Sequence, residues 1–237
     1  TSSSTNRWFC GGHNANLARL FGEGMSAVVV LNPDLVLEAS AVEALADGMA
    51  ALGRTALYGP ILEFADPDTL AATGVIDTAG TKWVRGARHL DLRQGEAMTD
   101  LPVLPYQTAA ISGACIWVPL DAYRELVGRT GEFFDEDFIA YREDAELGLR
   151  ASLLGIPSRI IPGARGRHVR RLRGTQRGLD RQIDALSARN RFLLAFKYGS
   201  RRPGGVVAAF IRDLVVLGGV LIAERSSAPA VREAWRL

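Results

Sequence analysis

Short apolar runs alternate with segments of helical period along the first two thirds of the chain. Ala27-Val28-Val29-Val30-Leu31 is an unbroken aliphatic run of the length of a buried strand. Ser40 with Glu43 three positions on is a capping-box pattern, and it predicts a helix from about Ala41 to Ala51. Thr55 to Gly59 reads as the next strand, and Gly11 to Asn14 as a tight loop feeding a short helix through Phe21. From Ile61 to Pro105 the pattern weakens, and Asp66-Pro67-Asp68, scattered glycines and Lys82-Trp83-Val84-Arg85-Gly86 predict short strands and mobile loops. Regular signals return in a strand at Ala109 to Val118, a helix at Asp144 to Leu154 with Gly155 in the C-cap position, and a short strand at Ser158 to Ile161.

Beyond Gly174 the pattern is helical, over about Leu179 to Tyr198 and Gly205 to Ala223, with Arg201-Arg202-Pro203-Gly204 between. The alternation predicts an α/β fold, an open parallel or mixed sheet flanked by helices with a C-terminal helical extension. Residues 1–174 would hold the sheet and 175–237 the helical segment. Gly204 to Ala223 is the one membrane candidate, yet Arg212 and Asp213 interrupt it. At a bilayer centre those two charges cost about 5 to 7 kcal/mol, against roughly 3 to 7 returned by the large apolar residues. The expectation is therefore a helix packed on protein or lying at a membrane surface.

With 48% apolar and 23% charged residues, 237 residues describe a globular chain with one substantial core. Its 28 basic and 26 acidic side chains nearly balance, so no polyanionic partner is demanded overall. The positive charge is local: Arg165 to Arg181 holds seven arginines and one acid, Asp180. A loop closing on a diphosphate and a patch for anionic lipid are the preferred readings. Nucleic acid is not expected, because no aromatic is interleaved and no binding motif accompanies the cluster. Cys10 and Cys115 make no metal spacing, and Thr1-Ser2-Ser3-Ser4-Thr5 starts no secretory signal. The expected location is cytoplasmic, with peripheral attachment to the inner face of the plasma membrane as its variant.

Two acidic stations carry the candidate chemistry. Asn32-Pro33-Asp34 follows the Ala27 to Leu31 run, and read alone it is a β-turn. At the carboxyl end of a strand in an open sheet it is also where ligands collect, and a carboxylate there can hold Mg²⁺ or Mn²⁺ on a phosphate. The second station, Glu143-Asp144, read alone is an acidic helix start. Its setting is richer: Ser112-Gly113-Ala114, then Gly131, Phe133-Phe134-Asp135-Glu136, Phe138 and Tyr141 before it, and Arg150 after it. His168 stands alone among arginines, while His13 and His89 read as surface or loop residues.

These phrases in this order resemble the family-2 glycosyltransferases, especially the bacterial rhamnosyltransferase-like branch. That branch carries a phrase close to N-x-G-F-x-G-G-x-N, matched by Asn6, Phe9, Gly11, Gly12 and Asn14. Its L-N-P-D is Leu31 to Asp34, its S-G-A is Ser112 to Ala114, and its G-x-F-D-E-x-F-x-x-Y-x-E-D runs through Phe134, Asp135, Glu136, Phe138, Tyr141, Glu143 and Asp144. A histidine after the following strand corresponds to His168. The resemblance covers about Asn6 to His168. Trp8 stands where the family phrase has glycine, and His13 where asparagine is usual.

The resemblance implies a GT-A fold and inverting transfer from a nucleoside-diphosphate sugar to a hydroxyl of a saccharide or lipid-linked acceptor. It implies Asp144 as general base, Asp34 with His168 at the divalent metal, and Gly11, Gly12, Asn14, Asn32, Gly113, Glu143 and Arg170 around the substrates. Family members begin with a strand, a helix and a second strand that hold the base and ribose; this chain starts after them. The chain is therefore expected to be an N-terminally truncated GT-A domain with damaged donor binding. Two other readings stay open: a shortened, non-catalytic saccharide- or partner-binding protein, and a nucleotidyltransferase.

Overall fold

The computed structural model describes residues 6–85, 88–170, 177–199, 205–222, 227–234 and 236. The chain opens on α1 (Trp8–Gly22), followed by β1 (Ala27–Leu31), β2 (Leu35–Leu37) and α2 (Ala41–Leu52). Four strands come next: β3 (Leu57–Ala65), β4 (Ala72–Thr78), β5 (Thr81–Val84) and β6 (Arg88–Asp91). Then follow β7 (Tyr106–Thr108), β8 (Cys115–Pro119), α3 (Leu120–Thr130), a 3-10 turn (Glu136–Phe138), α4 (Glu143–Leu153) and β9 (Ser158–His168). The last helices are α5 (Arg177–Tyr198), α6 (Val206–Ile222) and α7 (Ala228–Ala234).

The main sheet runs β1-β8-β3-β9-β2, with β4 added to β3 and β7 to β9. Only β3 and β9 pair in parallel among these strands, so the sheet is mixed. Side chains alternate across it as strand geometry requires. Leu57 and Ile61 of β3 and Ile116 and Val118 of β8 join the large core under α1, α3 and α4. Tyr58 and Trp117 turn to the opposite face, where Ala41 and Leu45 of α2 cover them.

β9 carries the site's geometry. It is far longer than the Ser158 to Ile161 strand predicted, because it crosses an irregularity and resumes pairing. Gly59 faces Ile160, but Ile61 faces Arg165. Pro60 and Pro162 have no amide hydrogen, so a continuous ladder cannot form there, and the extra residues bulge out. Beyond the bulge Leu35 and Phe64 flank His168 on the two sides. His168 is thus the final residue of the strand, not a residue of a later loop.

Other expectations change. Gly11 and Gly12 lie inside α1, because Cys10, Leu17 and Phe21 form one buried face of a helix that begins earlier than predicted. Ser40 occupies the N-cap of α2 but makes no side-chain cap bond, so the capping box does not form. Residues 109–114 are irregular, and the strand starts only at Cys115. The sequence reading missed α3, whose buried positions are only Ala122 and Leu126. Among the described residues no helix is long and apolar enough to cross a membrane. Helix α5 packs on the sheet domain through Arg189 and Asn190. Gly86, Arg171, Arg173, the Gly174 boundary and the Arg201 to Gly204 linker lie outside the described residues.

Candidate active site

The first station is a turn and a site together. Leu35 N donates to Asn32 O at 3.3 Å, closing the β-turn, while Asn32 N donates to Ala114 O at 2.9 Å. Val169 N donates to Asp34 O at 2.9 Å, tying the turn to the end of β9. The Asp34 side chain stays 41% exposed, open to a ligand. His168 reaches it: Nε2 lies 3.4 Å from Asp34 Oδ1.

The other ring nitrogen fixes how His168 is used. Nδ1 is 2.7 Å from Oδ2 of Asp77, a β4 residue with no solvent exposure. A buried carboxylate needs a donor, so this contact assigns the proton to Nδ1 and leaves the Nε2 lone pair directed toward Asp34. Arg170 closes the group, with Nη1 3.1 Å from Asp77 Oδ1 and Nη2 3.1 Å from Asp91 Oδ2. Two carboxylates hold that guanidinium in one orientation.

Asp34 and His168 Nε2 fit a divalent cation as an oxygen and a nitrogen ligand, with Asp77 behind the histidine as a carboxylate–histidine relay. Among the described residues, no group of three or more His, Cys, Asp or Glu forms a metal cage. Two protein ligands suit an ion such as Mg²⁺ or Mn²⁺ whose remaining positions go to phosphate oxygens and water.

The second station is built on strained backbone. Ile139, Tyr141 and Arg142 have φ of 63°, 67° and 64°, a left-handed conformation that side-chain-bearing residues adopt only when held. Asn190 of α5, fully buried, holds them: its Nδ2 donates to Phe138 O at 2.6 Å, Ala140 O at 2.8 Å and Tyr141 O at 2.6 Å. From the other side Cys10 N donates to Ile139 O at 3.0 Å. The result starts α4 abruptly at Glu143 and presents Asp144 on its first turn.

Asp144 accepts from Gly113 N at 3.1 Å through Oδ2 and from Ala145 N at 2.7 Å through Oδ1. A Cβ at Gly113 would stand 3.1 Å from Glu143 Oε1, so the S-G-A phrase needs its glycine for close approach. Glu143 is buried, its Oε2 has no hydrogen-bond partner, and burial followed by the Asp144 charge pushes its carboxyl up to about 8. Glu143 is accordingly the neutral member of the pair at neutral pH.

The stations meet in one cavity of about 310 Å³. Asn32, Gly113, Glu143, Asp144, His168 and Arg170 line it, together with Phe9, Tyr141 and Arg142. Asp34 is joined to this wall through His168. Gly11, Gly12 and Asn14 are not on it. Asn14 instead pairs with the Phe134 backbone, donating to its O at 2.8 Å and accepting from its N at 2.8 Å. Gly11 sits where a Cβ would approach Glu136 Oε2 at 3.2 Å, whereas Gly12 has open space. Gly11 and Asn14 instead dock α1 on the aromatic frame, where Phe9 and Phe134 ring centroids are 5.4 Å apart.

Sequence reasoning missed Asp77, Asp91 and Asn190. Asp77 is a single acid ending the Val75-Ile76 run, and a lone carboxylate on an apolar strand is the signal that could have found it. His13 and His89 are not plain surface residues. His13 packs edge-on against Phe9 at 4.4 Å, and burial lowers its pKa. His89 lies on β6 with Nε2 shielded and without a hydrogen-bond partner, and burial lowers its pKa while the Asp144 and Asp91 charges oppose.

No family model matches the chain. It is 28% identical over 153 residues to the N-acetylglucosaminyl-diphospho-decaprenol L-rhamnosyltransferase of two strains of Mycobacterium tuberculosis, covering 60% of this chain and 46% of that protein. The chain thus spans about half the length of the curated relatives it matches. Among solved structures it resembles GalNAc-T7 crystallised with UDP, GalNAc and Mn²⁺, with a TM-score of 0.51 and 17% identity over 67% of this chain and 30% of that one. The mixed sheet flanked by helices thus has the GT-A fold of that structure, and in sequence the chain is similar to rhamnosyltransferases.

Proposed function

We propose that the chain is the catalytic part of an inverting glycosyltransferase that moves a sugar from a nucleoside-diphosphate donor to a hydroxyl group. The observation that carries this is the shared cavity: Asp144 on one wall, and on the other His168 poised between Asp77 and Asp34. Asp144 is the general base, its carboxylate oriented by Gly113 N so that it takes the acceptor proton as the oxygen attacks the anomeric carbon. Asp34 and His168 would hold the divalent cation on the donor diphosphate, with Arg170 beside them. A cation there supplies Lewis-acid stabilisation of the leaving diphosphate. Glu143, neutral, adds a hydrogen-bond donor to the same wall without repelling the donor's charge.

The finer reading follows the curated relative, whose name specifies rhamnosyl transfer to a diphospho-decaprenol-linked sugar. On that basis the donor is a nucleoside-diphosphate rhamnose and the acceptor a lipid-linked saccharide of cell-envelope or exopolysaccharide synthesis. The test is a donor screen: the protein is mixed with nucleotide sugars and Mn²⁺, with and without saccharide acceptors, and products are resolved. Release of nucleoside diphosphate with sugar transfer is expected. Release of pyrophosphate would make the protein a nucleotidyltransferase, and no turnover with any donor would favour a non-catalytic binding protein.

A further inference from the structure

The C-terminal end of α4 roofs a cavity apart from both acidic stations. It measures about 230 Å³, far more than one water fills, and Gln107, Thr108, Gly148, Ser152, Ser158 and Arg159 line it. Gly148 and Ser152 stand four apart and share the face of α4 turned to it. Gly148 permits the close roof, since a Cβ there would collide with that of Ala110. Ser158 lies opposite Thr108 on the edge strand β7 and Leu57 on β3, so its side chain is on the α4 face of the sheet. Arg159 and its register partner Gln107, on the alternate face, reach the same cavity where the sheet ends at β7.

Two polar atoms of this wall are unspent. Ser158 is 3% exposed, yet its Oγ has no hydrogen-bond partner, and Nε of Arg159 is likewise shielded and unbonded. Buried polar atoms are as a rule paired, so two such atoms at one cavity suit a ligand that completes their bonds. Thr108 differs: its Oγ1 is committed to Thr81, accepting from N at 2.7 Å and donating to O at 2.6 Å.

Charge selects the ligand. Among the described residues no Asp or Glu lines the cavity, so a cation would find no counter-charge and would meet Arg159. The carbonyls ending α4, which would repel an anion, are largely taken. Gly155 N donates to Ser152 O at 3.1 Å, Ile156 N to Ala151 O at 2.8 Å and Leu154 N to Arg150 O at 3.1 Å. A guanidinium with hydroxyls beside it matches the several acceptor oxygens of a phosphate group.

We propose that this cavity is a phosphate-binding site formed by Arg159, Ser158 and Ser152. It does not rest on the transfer reading, for Ser152 lies about 12 Å along α4 from Asp144, outside the Asp144 cavity. The phosphate can be the free ion or the phosphoryl group of a phosphomonoester.

Titration calorimetry of the full chain, in chelator and low salt, is run with inorganic phosphate and separately with glycerol 3-phosphate. Arg159→Gln is expected to weaken binding at least fivefold and Arg159→Lys to weaken it less. Ser158→Ala should weaken it at least threefold, and Ser152→Glu, which sets a carboxylate at an exposed position of the rim, should abolish it. Thermal unfolding checks that each variant folds. Arg159-dependent binding of inorganic phosphate assigns the free ion; Arg159-dependent binding of glycerol 3-phosphate alone assigns a phosphomonoester; either supports the site. Binding indifferent to both Arg159→Gln and Ser152→Glu, or lost in Arg170→Gln alone, overturns it while leaving the transfer reading intact. No binding of either compound overturns it too.

Discussion

His168 Nδ1 lies 2.7 Å from the buried Asp77 Oδ2, which makes Asp77 the residue that decides which way the imidazole points. Partners behind metal-binding histidines commonly contribute about 10- to 100-fold in metal affinity. Asp77→Asn keeps the shape but weakens the acceptor, so the Mn²⁺ concentration for half-maximal donor binding should rise at least tenfold. A Mn²⁺ titration followed by calorimetry checks this, and an unchanged midpoint would separate His168 from the metal.

Asp144→Asn preserves an oxygen for Gly113 N and removes the proposed base. Transfer should fall by about 10² to 10⁴, with donor affinity within about twofold of the parent. Single-turnover product formation and donor calorimetry read the two quantities separately. Near-normal turnover would remove Asp144 from its role.

Asp34→Ala should abolish the metal-dependent part of donor binding. Its side chain is 41% exposed, so stability should shift by only about 0.5 kcal/mol or less. Donor binding compared with Mn²⁺ and with chelator, together with urea unfolding, tests both halves.

Glu143 gives the chain a pH signature. Its carboxyl sits at about 8 in the fold against an ordinary 4.5, because burial and then the Asp144 charge disfavour the anion. The folded state therefore holds a proton that the unfolded chain has released, and stability falls as pH rises from about 4.5 through 8. Glu143→Gln cannot ionise, so its unfolding midpoint should gain on the parent across that window and level off above it. Parallel slopes for the two proteins between pH 5 and 8 would contradict the assignment.

Asn190→Ala removes the amide whose two N–H groups serve three carbonyls, that of Phe138 buried and those of Ala140 and Tyr141 part-buried. An unmade buried bond costs about 1 to 3 kcal/mol, so a loss of about 1 to 3 kcal/mol is expected by chemical denaturation. Turnover should drop further than the unfolded fraction explains, because the backbone ahead of Asp144 is released.

The strand at Ala27 to Leu31 was legible as an unbroken aliphatic run, although it is an edge strand in which only Val30 is buried, and the helix after Ser40 was legible from its periodic apolar face. Asp34, Asp144 and His168 were legible as motif residues, but nothing local in the sequence joins them. What joins them is tertiary: the bulge at Pro60 and Pro162 that extends β9, and the register that sets His168 beside Leu35. Asp77 stayed hidden because its partner is 91 positions away and its strand looked weak. Asn190 stayed hidden because an amide inside a helix has no periodic signature, only the three carbonyls it meets in space. Gly11 and Gly12 misled because a glycine pair signals a loop by propensity, whereas close docking against Glu136 admits Gly11 within a helix.

The Asn190 clamp also bears on how chains of this fold can be recombined. A chimera that joins this sheet to another protein's tail exchanges the amide that keeps residues 139, 141 and 142 in their left-handed turn. Grafts chosen for a new acceptor must therefore carry a matching amide at that helix position, or the graft will silence the very chemistry it was meant to redirect.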